Sequence, residues 1–254
     1  MTLQQIAQQL DKAAREAKPI PQFSTNNSFS LTDAYKVQLT SIQRRIERGE
    51  KITGFKLGFT SKAKMEQMGV NDLIWGILTD DMFIEDDGEV AFSKYIHPRV
   101  EPEVAFLVKK DITKQISYKE IPEYIESFAV AIEIIDSRYE NFKFSLEDVV
   151  ADNCSSIGYC VGAWQDLEED INDLKLELKI NSEVVQSGNT KAILENPYQS
   201  VVEISRLATE AGLTIKEGYV IMAGAATAAE WMPKNATVKA SLEKFGEVGF
   251  EVKG

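Results

Sequence analysis

Glu101 and Glu103 sit one residue apart inside the apolar run Val100-Glu101-Pro102-Glu103-Val104-Ala105-Phe106-Leu107-Val108, and Glu133 interrupts a second run, Ala129-Val130-Ala131-Ile132-Glu133-Ile134-Ile135. Side chains of an extended strand alternate between faces, so Glu101 and Glu103 project from the same side. Carboxylates this close repel, and burying even one is costly without a compensating charge. Two readings follow. Either the glutamates form the solvated face of an antiparallel sheet, or a cation joins them. Three hard oxygen donors on two strands suit a divalent ion of the magnesium or manganese type, which keeps positions open for water and substrate. On the second reading the chain is a metal enzyme.

Such carboxylates need strands to hold them. Short apolar or alternating runs bounded by Asp, Gly, Asn and Pro predict strands at 52–59, 74–78, 89–92, 100–108, 127–136, 157–163, 174–180, 219–223, 236–240 and 248–252. Ahead of them, Thr2 and Gln5 make a capping box for a helix carrying Ile6, Leu10, Ala13 and Ala17 up to the Pro19/Pro22 break. A second helix starts near Ser30 and carries Ala34, Val37, Ile42 and Ile46 until Gly49 stops it. A short helix capped by Thr60-Ser61 is predicted through Met68, with others near 119–126 and from Asn196-Pro197 to Gly212. Helices first and strands mostly after imply an α+β architecture with a large mixed sheet, a β-sandwich or β-roll. The expected division is an N-terminal helical segment, residues 1–72, which includes the strand through Lys56, and a β-rich catalytic domain, residues 73–254, working as one unit.

At 254 residues the chain can bury one sizeable core, and its 44% hydrophobic content is ordinary for a globular protein. A formal charge of −12, from 28 Lys+Arg against 40 Asp+Glu, argues against nucleic acid or an anionic membrane surface as partner. A small molecule is the expected ligand. No apolar run approaches the roughly 20 residues of a membrane span, and Met1-Thr2-Leu3-Gln4-Gln5 lacks the features of a secretory signal, so a cytoplasmic protein is expected. Cys154, Cys160 and the lone His97 make neither a disulfide framework nor a zinc site.

Gly54-Phe55-Lys56-Leu57-Gly58-Phe59-Thr60-Ser61, Met68-Gly69-Val70, Pro98-Arg99-Val100-Glu101-Pro102-Glu103 and Glu133-Ile134-Ile135-Asp136-Ser137-Arg138, in this order, resemble the fumarylacetoacetate hydrolase superfamily. Within it they look like the branch of 2-keto-4-pentenoate hydratases and 4-oxalocrotonate decarboxylases. Asp136-Ser137-Arg138-Tyr139-Glu140-Asn141-Phe142-Lys143-Phe144 and Val150-Ala151-Asp152-Asn153 are most similar to the decarboxylases. Hydratases carry Pro-Asp-(Phe/Tyr)-Gly where this chain has Leu73-Ile74-Trp75-Gly76. Ile74 cannot move a proton, which fits a reaction that expels CO₂ without adding water.

The resemblance implies a mixed β-sandwich-like fold of the fumarylacetoacetate hydrolase type with N-terminal helices. It also implies Mg²⁺, with Mn²⁺ as an alternative, held by Glu101, Glu103 and Glu133, and Lys56 beside a bound 2-oxo dicarboxylate. Homo-oligomers and an association with a hydratase are implied too. Arg138 and Lys143 are expected either to bind the distal carboxylate or, for Arg138, to form a structural ion pair. Asn153 and Ser155 fall where the family places polar substrate contacts, although their loop is also good turn sequence. Gly224-Ala225-Ala226-Thr227 brings backbone amides near the substrate or only permits close packing. Arg99 is expected as a salt-bridge partner, His97 as a strand-end residue, and Trp75 and Trp231 as core residues or pocket walls. The function expected is decarboxylation of 2-oxohex-3-enedioate, ahead of the hydratase reaction and of acylpyruvate hydrolysis.

Overall fold

The alternation Arg99-Val100-Glu101-Pro102-Glu103-Val104-Ala105-Phe106 sorts one strand into two chemically different faces, and the fold is organised around that strand. The computed structural model describes residues 1–25, 29–60, 65, 72–167 and 169–254; the predicted helix after Thr60 and the Met68-Gly69-Val70 motif lie outside them. The first sheet contains β1 (Ile52–Gly58), β2 (Ile74–Thr79), β3 (Phe83–Ile84), β5 (Arg99–Val108), β6 (Ile125–Ile135), β7 (Ser156–Val161), β8 (Gln165–Asp166), β11 (Val220–Met222) and β12 (Glu230–Trp231). Its main order is β2-β1-β11-β5-β6-β7-β3, with β12 pairing β5 and β8 pairing β6. A second sheet, in the order β10-β9-β13-β14-β4, contains β4 (Gly88–Ala91), β9 (Lys175–Ile180), β10 (Glu183–Asn189), β13 (Ala236–Leu242) and β14 (Gly246–Lys253).

The even-numbered residues Val104 and Phe106 of β5, with Phe128, Val130 and Ile132 of β6, share one buried core with Leu176, Leu178, Val238, Ala240, Val248 and Phe250 of the second sheet. The odd face instead carries Ala105, Ala129 and Ala131, which pack with Met222, Tyr159 and Leu78. Small residues there leave room above the sheet. Two helices precede it: α1 (Leu3–Glu16), capped by the Thr2/Gln5 box, and α2 (Leu31–Glu47), capped by Ser30. Asp11 of α1 is almost fully buried and pairs with Arg44 of α2 and with Arg48 at its C-terminal cap, which fixes the hairpin. Ile6, Leu10, Ala34 and Val37 then pack against α3 (Leu146–Ala151) and reach Ile74 and Cys154 beneath the site.

The mixed two-sheet architecture with N-terminal helices agrees with the sequence expectation, and several details differ. The helix expected near 119–126 is present but short: a 3-10 turn at Tyr118–Glu120 leads into one α-helical turn at Ile121–Tyr124, and β6 begins at Ile125. The sheet claims Ile125 and Phe128 because both bury fully in the core. The late helix is α4 (Gln199–Glu210), shorter at both ends than predicted. β1, from the N-terminal segment, pairs with β2 on one side and β11 on the other, so the strand bearing Lys56 is internal to the sheet. No helix among the described residues is long and apolar enough to cross a membrane.

Candidate metal and substrate site

β5 and β6 pair antiparallel with Glu101 directly opposite Glu133, and Glu103 lies one pleat further along the same face. Like charges opposed across strands destabilise a sheet. All three glutamates are nonetheless buried, Glu103 and Glu133 completely. One ligand oxygen from each lies within 4.8 Å of the others. Lys56, on β1, is also buried and places Nζ 2.9 Å from Glu133 Oε2. Ser156 donates to Glu133 Oε1 at 2.8 Å, and the Gly224 amide donates to Glu103 Oε2 at 2.8 Å. Gly224 has φ +100°, and a Cβ there would lie 2.4 Å from the Thr60 side chain, so this amide can be presented by glycine and by little else.

Burial pushes the Glu103 carboxyl well above its ordinary range, and the neighbouring Glu133 adds to the effect. Burial alone would lower the Lys56 ammonium; Glu133 above all, with help from Glu103 and Glu101, outweighs that and holds it above the usual lysine value. Lys56 is therefore a cation. Among the described residues Lys56 is the one ammonium beside these three carboxylates, and Glu103 Oε1 is buried with no hydrogen-bond partner there. A divalent cation fits this arrangement. It binds oxygens at about 2.1 Å, which gathers three ligand atoms into a cluster of this size, and it takes oxygen donors of this kind. The donor set therefore suits Mg²⁺ or Mn²⁺ on the structure's own terms.

Lys56, Glu101, Ile74, Ser155 and Arg99 line a cavity of about 660 Å³, together with Phe142 and Lys143. Its back wall depends on an unusual turn: Asn153, Cys154 and Ser155 all adopt left-handed backbone conformations, with φ of 50°, 53° and 61°. Each such residue is unfavourable for a side chain larger than glycine. Asn153 secures the turn by accepting the Ile77 amide at 2.8 Å and donating to the Ile77 carbonyl at 2.9 Å. Cys154 turns its thiol to the Trp75 carbonyl, its carbonyl lies 3.4 Å from Lys56 Nζ, and burial pushes its thiol up to about 12. Gly76 permits the approach, since a Cβ there would meet the Asn153 carbonyl at 2.8 Å and Lys56 Cγ at 3.1 Å.

The structure thus gathers Lys56, Glu101, Glu103, Glu133 and Ser155 in one place. The Ser155 hydroxyl is buried without a partner in this wall. Asn153 is adjacent, but its amide is spent on the backbone of β2. Arg138 is not brought to the cavity: it is buried against Asp152, and it also donates to the carbonyls of Asp136, at 2.6 Å, and of Asp152. Of its two expected roles, the structure shows the ion pair. Trp75 is core, stacked on Tyr35 at 4.7 Å. Trp231 is 54% exposed, contrary to the expectation of core or pocket packing, and it covers Arg99. Arg99 is not a salt-bridge partner among the described residues. Its guanidinium makes cation–π contacts with both Trp231 and Phe142, an arrangement that sequence reasoning missed because the two rings lie far from it along the chain. His97 precedes β5, and its amide is held by Asp136 at 2.8 Å.

Comparisons with known proteins show what this chain is similar to. The fumarylacetoacetate (FAA) hydrolase C-terminal family matches residues 61–253. A 4-oxalocrotonate decarboxylase from Pseudomonas sp is 43% identical over 254 residues, covering 100% of this chain and 99% of the relative. A 2-keto-4-pentenoate hydratase from Paraburkholderia xenovorans (strain LB400) is 32% identical over 226 residues, 87% of this chain and 84% of the relative. The solved structure of the 4-oxalocrotonate decarboxylase from Pseudomonas putida G7, complexed with magnesium and adipate, matches with a TM-score of 0.94 at 34% identity, covering 98% of this chain and 97% of that one.

Proposed function

The chain belongs to the fumarylacetoacetate hydrolase family, and from that membership and the site's geometry we propose that it is a metal-dependent carboxy-lyase. Its substrate is 2-oxohex-3-enedioate (4-oxalocrotonate), and its products are 2-hydroxypenta-2,4-dienoate and CO₂. The reaction breaks the C5–C6 bond. The released electron pair passes through the conjugated C3–C4 double bond to the C2 oxygen, which must finish carrying a proton. A divalent cation, when bound, supplies Lewis-acid stabilisation of the charge developing there. Glu101, Glu103 and Glu133 would hold it.

Lys56 serves that same oxygen. Its ammonium is fixed by Glu133 and faces the cavity, so it donates a hydrogen bond to the 2-oxo group and delivers the proton. Ser155 Oγ, unpartnered in the same wall, orients the substrate's oxo-acid end. Ile74 offers only an apolar surface where a water-activating group would be needed, which favours CO₂ loss over hydration. The observation that carries the reading is the burial of Glu101, Glu103 and Glu133 with ligand oxygens within 4.8 Å of one another, beside Lys56 and a cavity of substrate size.

The resemblance further supports a place late in meta-cleavage degradation of catechols, a homo-oligomeric state and an association with a hydratase that would receive the dienol. The hydratase relative keeps a second reading in view, and one assay separates the two. Purified protein is offered 2-oxohex-3-enedioate with Mg²⁺ and with chelator, and then 2-hydroxypenta-2,4-dienoate. Metal-dependent CO₂ release from the first and inertness toward the second are expected. Hydration of the second without CO₂ release from the first would replace the decarboxylase reading.

A further inference from the structure

We propose that Arg99 recognises the far carboxylate of the substrate and so selects dicarboxylic over monocarboxylic 2-oxo acids. The inference rests on the 2-oxo-acid reading above. Arg99 is the first residue of β5 and shares its odd face with Glu101 and Glu103, so its Cα stands about 7 Å along the strand from that of Glu101. This spacing suits the reach of a six-carbon chain whose other end lies at the glutamates. The guanidinium carbon sits 4.1 Å from the Trp231 ring centroid and 4.5 Å from that of Phe142, and the two rings are nearly perpendicular, at 83°. With the rings nearly perpendicular, a planar guanidinium can lie flat on one of them only, and the Arg99 Nε is buried without a hydrogen-bond partner among the described residues, so part of the fork that matches a carboxylate is unspent.

Arg44, Arg45, Arg48, Arg138 and Arg206 each pair with an acidic side chain. Arg99 pairs with none among the described residues, and its Nε is buried and unpartnered. A cation held rigidly at a cavity wall with unused donors lacks an anion. Lys143 also lines the cavity, but its side chain is exposed and not fixed by rings. The far carboxylate is the group that leaves as neutral CO₂, so its attraction to Arg99 fades as the C5–C6 bond breaks. Arg99 is therefore a specificity residue: it favours ground-state binding and contributes little to the chemical step.

The test measures binding of 2-oxoadipate and of 2-oxohexanoate to Mg²⁺-loaded wild type and Arg99→Met by calorimetry, and kcat and KM for 2-oxohex-3-enedioate. Wild type should prefer 2-oxoadipate. Arg99→Met should weaken 2-oxoadipate roughly 10- to 100-fold, change 2-oxohexanoate by less than about 3-fold, and raise KM with kcat nearly unchanged. Equal weakening of both ligands, a retained preference, or a fall in kcat with unchanged KM would overturn the proposal. If neither acid binds wild type, the 2-oxo-acid reading itself fails, a result distinct from binding without preference. Trp231→Leu, which changes a half-exposed ring and leaves Arg99 in place, should reduce the same preference partially; an undiminished preference there counts against the clamp.

Discussion

The Arg138 site and the Lys56 site both bury ionised side chains, and they differ in how completely those charges are answered. Asp152 accepts from the Arg138 amide and Nε through its two carboxylate oxygens, and the backbone carbonyls of Asp136 and Asp152 accept from Nη1 and Nη2, so each guanidinium nitrogen has a partner. Burial lifts the Asp152 carboxyl to about 6 even against the pull of Arg138, yet charge and hydrogen bonds balance. Around Lys56, by contrast, three carboxylates cluster with one ammonium among the described residues, and one Glu103 oxygen has no partner among them. A closed cluster holds the chain in place; an open one is built for a ligand that completes it. The difference explains why two neighbouring arrangements of similar residue types serve different ends.

Substitutions can break this contrast at either side. The largest effect is expected from Glu103→Gln or Glu133→Gln. Mg²⁺ affinity by calorimetry should fall by more than about 100-fold, since even groups behind metal ligands are worth 10- to 100-fold, and turnover should fall further. Full activity with unchanged metal dependence would remove Glu103 from the site. Next comes Asp152→Ala, which strands a buried guanidinium and should cost about 3–5 kcal/mol in urea unfolding without altering Mg²⁺ affinity in the folded fraction. A change below about 1 kcal/mol would mean the Arg138 cluster is not structural. The smallest is Lys114→Ala. Its 2.7 Å pair with Glu120 is largely exposed and screened by water, so the urea midpoint should stay where it is in wild type, and a clear loss of stability would show that surface pairs matter here as much as buried ones.

The strand-borne part of the site was legible in the sequence because a period of two is enough to put Glu101 and Glu103 on one face. Glu133 stood out for the same reason, as a charge in an apolar run. What periodicity does not carry is pairing across the chain. The roles of Arg138 and Arg99 depend on Asp152, Phe142 and Trp231, and nothing in local spacing distinguishes a guanidinium bound by an acid from one bound by rings. The left-handed turn at Asn153–Ser155 is invisible for a related reason: only Gly76 on another strand makes room for it. Hydrophobic pattern also carried the helix near 119–126 past its end, since Ile125 already belongs to β6, and it gave no sign of the mostly exposed strand Glu183–Asn189.

The most direct measurement is thermal unfolding of wild type and Glu103→Gln, each with chelator and with Mg²⁺ at 100 times the wild-type dissociation constant. Mg²⁺ should stabilise wild type by about 2.7 kcal/mol and leave the variant nearly unmoved, because the open cluster is completed only where all three carboxylates remain. Equal stabilisation of both proteins, or of neither, would contradict a metal site built from Glu101, Glu103 and Glu133.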